Sequence, residues 1–380
     1  MILFIVICFI LYLIAMVIVV LGMRQLPTFY YKEEETQTKF SIVIPFRNEA
    51  KRLPALLFSI KGLRYSSHLY ELIFVDDASE DDSVAIIDAA FKEASSHSEI
   101  SFKIIPNRRF SASPKKDAIT EAISNSKNDW IITTDADCVL PSTWLAAFDA
   151  FIRAKDPLMV GGPVQNTANS SFVQQFQKLD GLSLQAVTKA GFGLKNPLLC
   201  NGANLAYKKD AFFEVLGFSE NNHIASGDDI FLLEKFRKKY PKKTLFLKSK
   251  AAIVTTFPES NWFSMIEQRV RWASKTSKQK NNASKALGLL VFLTNLMLIV
   301  GIPYCVLNPN YASLFLSILF LKAFIDFIVL KRSSNFFDSK MNYIAFLGSL
   351  IIYPFVIVWV VLASLKGRYH WKGRKFEKQG

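Results

Sequence analysis

The sequence predicts an α/β domain built on a mostly parallel sheet, flanked by transmembrane helices at both ends of the chain. Three patterns carry that expectation. Short apolar strand-like runs alternate with helical periods through the middle of the chain, acidic pairs follow two of those strands, and four long apolar stretches sit at the termini.

The apolar content of 51% and mean hydropathy of +0.21 are high for a soluble chain of 380 residues. The excess is local. Ile2 to Met23 holds no charged residue over 22 positions, enough to cross a hydrocarbon core as a helix. No basic residue precedes it and no small-residue cleavage site follows before Arg24, so residues 1–23 are expected to be a retained anchor. Three further runs, 286–307, 311–330 and 342–365, read as C-terminal spans, with the turn Asn308-Pro309-Asn310 between the first two. Lys322 and Asp326 interrupt one run four residues apart. On one helical face they can neutralise each other, and they are expected to face protein.

The net charge of +14 is concentrated near these runs. Arg237 to Lys250 carries seven basic residues and no acidic one. Lys275, Lys278, Lys280 and Lys285 precede the second apolar run, and the tail 366–380 adds Lys366, Arg368, Lys372, Arg374, Lys375 and Lys378 against Glu377. Basic clusters beside spans mark the cytoplasmic side and anionic lipid surfaces; with the clusters abutting apolar runs, nucleic acid is not an expected partner. A cytoplasmic middle domain followed by three full spans would put the basic tail outside. The expectation is therefore an integral protein of a bacterial inner membrane, catalytic domain and tail in the cytoplasm, with one incomplete span. Cys8, Cys138, Cys200 and Cys305 form no framework, which fits a reducing compartment and no zinc site. Oligomeric state is not legible.

Residues 36–285 read as one domain. Phe40 to Ile44 is a β-rich run followed by the turn Pro45 to Glu49, and Ala50 to Lys61 is helical with Leu53, Leu56, Leu57 and Ile60 on one face. Leu72 to Val75 is a strand ending at Asp76-Asp77, Ser83 to Ala94 a helix and Phe102 to Ile105 a strand. Lys116 to Ile123 is helical, and Trp130 to Thr134 is a strand ending at Asp135-Ala136-Asp137. Phe172 to Leu194 is weakly amphipathic, suited to a membrane surface or to solvent.

Ligands of open parallel sheets bind outside the carboxyl ends of the strands. That rule gathers Asp76, Asp77, Asp135 and Asp137 at one rim, where four carboxylates repel unless a cation lies among them. A divalent Mg²⁺ or Mn²⁺ carrying a diphosphate fits, because these ions take one or two carboxylates plus phosphate oxygens. The plainer alternative for either pair alone is a strand-ending turn. Asp228-Asp229 precedes an apolar helical run, where a helix N-terminus favours the carboxylate anion; a cap is the structural alternative. Glu259 to Ser277 reads as an interfacial amphipathic helix with Trp262, Ile266, Val270 and Ala273 on one face and Gln268, Arg271 and Trp272 on the other.

Taken in order, Ile44 to Glu49, Val75 to Ser79, Lys115, Thr134 to Asp137, Asn201 to Asn204, Gly227 to Asp229 and Gln268 to Trp272 resemble the family 2 glycosyltransferases of the GT-A fold, in particular the membrane-bound branch with ceramide glucosyltransferases and cellulose or hyaluronan synthases. Trp371 to Arg374 also resembles a short tail motif of that branch. The resemblance implies a metal-dependent, inverting hexosyltransferase using a nucleotide-sugar donor, with UDP the favoured nucleotide, and a lipid or glycan acceptor at the bilayer. It assigns Pro45, Glu49, Asp76, Asp77, Lys115 and Asp135 to donor binding, Asp135 and Asp137 to the metal, and Asp229, Gln268, Arg271 and Trp272 to catalysis. A solvated role for Lys115 stays open, and Asp228 stands where relatives more often carry Glu. A processive polysaccharide synthase shares every motif but usually has more spans; a membrane nucleotidyltransferase would also use paired carboxylates and a metal.

Overall fold

The computed structural model describes residues 1–92, 100–275, 278–365, 368–371 and 374–377. The ends of the helices read over Ser83 to Ala94 and Glu259 to Ser277 lie outside these residues, as do Lys366, Lys372, Gly373 and Lys378 of the tail.

The chain opens with α1 (Ile2–Gln25) and enters β1 (Phe40–Phe46), α2 (Leu53–Lys61), β2 (Tyr70–Asp76), α3 (Ser83–Lys92), β3 (Ser101–Pro106), α4 (Pro114–Ser124) and β4 (Trp130–Thr133). It continues through β5 (Cys138–Val139), α5 (Trp144–Lys155), β6 (Met159–Gly161), β7 (Val164–Asn166) and α6 (Phe172–Gly193). Next come β8 (Leu205–Lys208), α7 (Lys209–Glu214), α8 (Asp228–Lys239), β9 (Thr244–Phe246) and β10 (Val254–Thr256). The last elements are α9 (Trp262–Ser274), α10 (Asn282–Leu307), α11 (Ala312–Phe336), α12 (Tyr343–Leu365), β11 (Arg368–Trp371) and β12 (Arg374–Glu377).

Two compact units result. The sheet unit, Pro27–Asn166 with Leu199–Phe257, holds a seven-stranded sheet ordered β3-β2-β1-β4-β8-β6-β9 and a small sheet β5-β10-β7. In the larger sheet every pairing is parallel except those of β8, which runs antiparallel to β4 and to β6. The chain leaves this unit after Asn166 and re-enters at Leu199, so no right-handed βαβ crossover dictates the direction of β8. Strand β1 is central: Phe40, Ile42, Val43 and Ile44 are wholly buried, as a continuous apolar run sandwiched on both faces must be. The register aligns Phe46 with Asp76 and Asp76 with Pro106, while β4 pairs with β1 up to Val43↔Thr133. The loops after β1, β2, β3 and β4 therefore leave from one rim.

The helical unit comprises α1, the segment Thr167–Leu198 with α6, and the chain from Pro258 through the C-terminal hairpin. Four of its helices are long and apolar enough to cross a membrane: Ile2–Gln25, Asn282–Leu307, Pro309–Phe336 and Tyr343–Leu365, with mean hydropathy 3.4, 2.2, 2.3 and 2.5. Lys322 Nζ lies 2.7 Å from Asp326 Oδ2, the expected pairing on α11. The sequence did not reveal its third member: the Tyr12 hydroxyl of α1 donates to Asp326 Oδ1 at 2.6 Å. A paired, hydrogen-bonded charge inside an apolar bundle avoids the penalty of an isolated one.

Helix α6 groups with the apolar helices. Its Ala186 and Ala190 pack with Tyr12, Met16, Val19 and Met23 of α1, so its weak amphipathicity reflects a helix–helix seam. The seam is tight. A Cβ on Gly193 would lie 1.9 Å from the Gly22 carbonyl oxygen, and one on Gly22 would lie 2.7 Å from that of Ala190. Small residues let helix backbones approach this closely. Gly193→Leu is expected to cost about 1–3 kcal/mol by overpacking, read as a lowered thermal midpoint of the detergent-solubilised chain; an unchanged midpoint would contradict the close crossing.

Candidate active site

At the end of β1 the backbone turns through Asn48 at φ +51°, and at the end of β2 through Ala78 at φ +58°. Left-handed backbone suits Asn but costs alanine about 1–2 kcal/mol. Arg47 holds it: its buried guanidinium donates to the carbonyl of Asp77 at 2.8 Å and to that of Ala78, and pairs with Glu80 at 2.9 Å. The Asp77 amide donates to the Phe46 carbonyl at 2.9 Å, joining the two strand ends. Pro45 sits just past the last β1–β4 register pair, where a missing amide hydrogen costs little. Glu49 is buried at the entry to α2, its amide donating to Ser83 Oγ at 2.9 Å.

The two aspartates closing β2 do different things. Asp76 Oδ1 accepts the Ser79 amide, three residues on, at 2.9 Å and so closes the turn after β2. The buried Asp77 carboxylate accepts from Arg109 Nε at 2.9 Å, Arg109 Nη2 at 2.8 Å and Asn107 Nδ2 at 2.7 Å. It thus anchors the loop after β3, whose Arg109 and Asn107 the sequence did not single out.

Lys115, in the first turn of α4, is the centre of the site. Its Nζ lies 2.6 Å from Asp135 Oδ1, past the end of β4, and 3.3 Å from Asp228 Oδ2, at the start of α8. Burial disfavours the ammonium, yet Asp135 and Asp228 outweigh it and hold Lys115 above the ordinary lysine range, with Asp229 adding to their pull. Lys115 is therefore held in ion pairs with both carboxylates. The Asp229 carboxylate accepts the Ile230 amide at 2.7 Å, and Gly227, at φ +86°, caps α8. Both carboxylates benefit from the positive end of that helix.

Gly202 makes this convergence possible. A Cβ there would lie 2.7 Å from Asp228 Oδ2 and 3.4 Å from Lys115 Nζ. Its backbone is pinned by Thr133 Oγ1, which donates to the Gly202 carbonyl at 2.6 Å, and the Asn201 side chain accepts the Ala203 amide at 2.9 Å. Asn204, at the end of this turn, is buried in the core: it donates to the carbonyls of Pro163 and Ala252 at 2.8 Å and accepts from Trp144 Nε1 at 2.9 Å.

Asp137 pairs with Arg52 at 3.0 Å, and the side chains of Asp135 and Asp137 remain 34% and 24% exposed. Among the described residues no three or more His, Cys, Asp or Glu gather into a cation site. Two neighbouring, accessible carboxylates nevertheless suit a hard cation that completes its shell with phosphate oxygens. Cys138, beside them, is buried, and burial with the charges of Asp137 and Asp135 pushes its thiol well up.

Gln268, Arg271 and Trp272 lie on α9 in the helical unit. The observed buried face is Met265, Arg269 and Val270, with Trp262 against Phe172 and Phe176. Sequence periodicity missed Arg269, because a charged residue does not register as part of a buried stripe; its nearest signal is the i, i+3 spacing to Trp272.

Residues 41–215 match the Glycosyl transferase family 2 profile. The undecaprenyl-phosphate 4-deoxy-4-formamido-L-arabinose transferase of Sodalis glossinidius (strain morsitans) is 30% identical over 156 residues, and that of Salmonella choleraesuis (strain SC-B67) 32% over 157. Each match covers 41% of this chain and 46% of the relative, so the chain spans about half the length of the curated relatives it matches. A mannosyltransferase from Pyrobaculum calidifontis, solved with GDP-Man and Mn²⁺, superposes with a TM-score of 0.55 at 16% identity, covering 94% of both chains. That likeness shows the fold, a GT-A architecture. Residues 41–215, a little under half of the chain, are thus similar to glycosyl transferase family 2.

Gly202→Ala is expected to push Asp228 off Lys115 at a cost of about 1–3 kcal/mol. Chemical denaturation checks this, and wild-type stability would mean that the carboxylate approaches less closely than described.

Proposed function

We propose that this chain is a membrane-anchored, inverting glycosyltransferase that moves a sugar from a nucleotide-sugar donor, UDP-linked by family resemblance, to a lipid-phosphate or lipid-linked acceptor. The convergence of Lys115, Asp135 and Asp228 at the carboxyl rim of the parallel strands carries the reading. The names of the curated relatives support a lipid-phosphate acceptor. The four apolar helices and the basic clusters beside them support a bacterial inner-membrane location with the sheet unit in the cytoplasm.

Donor binding follows from the rim. Asp76 and Glu49 line the nucleoside end with Pro45, while Asp77 sets the neighbouring loop through Arg109. Lys115 faces the diphosphate. Asp135 and Asp137 would hold a Mg²⁺ or Mn²⁺ ion, which when bound supplies charge stabilisation to the departing diphosphate. Asp229 accepts the proton of the acceptor hydroxyl as its oxygen attacks the anomeric carbon; the bond from that carbon to the diphosphate oxygen breaks, and the nucleoside diphosphate leaves. By family resemblance, Arg271 is assigned to the leaving group and Gln268 and Trp272 to the acceptor. A pyrophosphate product, the mark of a nucleotidyltransferase, would contradict this chemistry.

Asp229→Asn is expected to lower kcat roughly 10²–10⁴-fold, as for loss of a general base, with donor affinity nearly unchanged by calorimetry; equal loss of binding and turnover would point to a structural role. Asp137→Ala should remove activity together with the response to added Mn²⁺. Wild-type turnover that persists in a chelator would contradict the metal assignment.

A further inference from the structure

Arg269 is the charged side chain on the buried face of α9, and it occupies a spacer position of the Gln268–Arg271–Trp272 motif. Its Nε donates to Asp180 Oδ2 of α6 at 2.6 Å; the two side chains are 10% and 9% exposed. Its Nη1 donates to Gln268 Oε1, and its guanidinium carbon lies 4.2 Å from the centroid of the Trp272 ring. Its Nη2 is buried and lacks a hydrogen-bond partner among the described residues.

The same surface of α6 holds the other end of the Gln268 amide. Gln268 Nε2 donates to Glu259 Oε1 at 3.3 Å. The Glu259 backbone is clamped to Gln177 of α6: its amide donates to Gln177 Oε1 and its carbonyl accepts from Gln177 Nε2, both at 2.9 Å. Gln177 and Asp180 are three apart, hence neighbours on one helical face.

We propose that Arg269, neutralised by Asp180, is a positioning residue that orients Gln268 and Trp272 for the acceptor, with Gln177 and Asp180 of α6 as its platform. The inference rests on the reading of α9 as an acceptor-contacting helix. A brace between α6 and α9 requires only the Asp180 contact. One planar guanidinium that also grips the amide oxygen and stacks on the indole fixes two motif side chains at once, which a lysine ammonium cannot do. Holding a buried arginine for bracing alone is poor economy, since well-packed apolar residues stabilise a contact as well or better.

The test uses the full chain in detergent, with undecaprenyl phosphate and UDP as separate binding probes. Arg269→Met and Arg269→Lys are each expected to weaken undecaprenyl phosphate roughly tenfold, the loss of about one charge-assisted hydrogen bond's worth of order, while UDP affinity stays within about twofold. The near-isosteric Asp180→Asn is expected to shift the same way, which keeps the test open should the methionine variant fold poorly. If Arg269→Lys binds both probes like wild type and the variants differ only in thermal midpoint, Arg269 is a brace and the proposal falls. Trp272→Ala separates this failure from that of the underlying reading. Weakened lipid binding in Trp272→Ala with wild-type binding in Arg269→Met overturns the positioning role alone. Unchanged lipid binding in Trp272→Ala overturns both.

Discussion

The site depends on one ammonium group. Lys115 sits in the first turn of a helix, where the helix dipole opposes a cation, and in surroundings that disfavour charge by burial. It remains charged there because Asp135 and Asp228 reach it from two other elements, and those carboxylates in turn tolerate each other because Lys115 lies between them. Charge-assisted bonds of this kind contribute about 1.5–3 kcal/mol each and leave a costly orphan if one partner is lost. The end of β4, the start of α4 and the start of α8 are thereby tied to a common point, with Gly202 supplying the space.

The helical unit treats charge the same way. Lys322, Asp326 and Tyr12 form a closed set among apolar helices, and Arg269 is matched by Asp180. The Tyr12–Asp326 and Arg269–Asp180 contacts join different helices, so these groups help specify which helices pack together. Gly22 and Gly193 do the complementary work through shape. Burial of paired charge and removal of Cβ atoms are both local devices that let α1, α6 and α11 associate where the apolar surface itself discriminates little.

Much of this was legible in the sequence, for a physical reason. Mostly apolar β-rich runs such as Phe40 to Ile44 suit a sheet buried on both faces, and parallel strands ending in acidic pairs place those acids at one rim. Uncharged stretches of span length read directly as apolar helices. The partners that neutralise each acid were not legible. Arg52, Arg109 and Lys115 come from loops or helix starts 85, 32 and 20 positions from Asp137, Asp77 and Asp135, and no periodicity connects them. The reversal of β8 was hidden because α6, lying between it and β7, reads as part of the same domain while packing in the other unit. Arg269 was hidden because its burial depends wholly on Asp180, a residue distant in sequence.

Hydrogen–deuterium exchange of the full chain with and without Mn²⁺ and a panel of UDP- and GDP-sugars tests the common point most directly. Protection confined to the segments after β1, β2 and β4, the start of α4, Asn201-Gly202 and the start of α8 is the predicted result. Protection elsewhere in the sheet unit, with those six segments exchanging as freely as before, would mean that the donor does not bind where Lys115 and its aspartates meet.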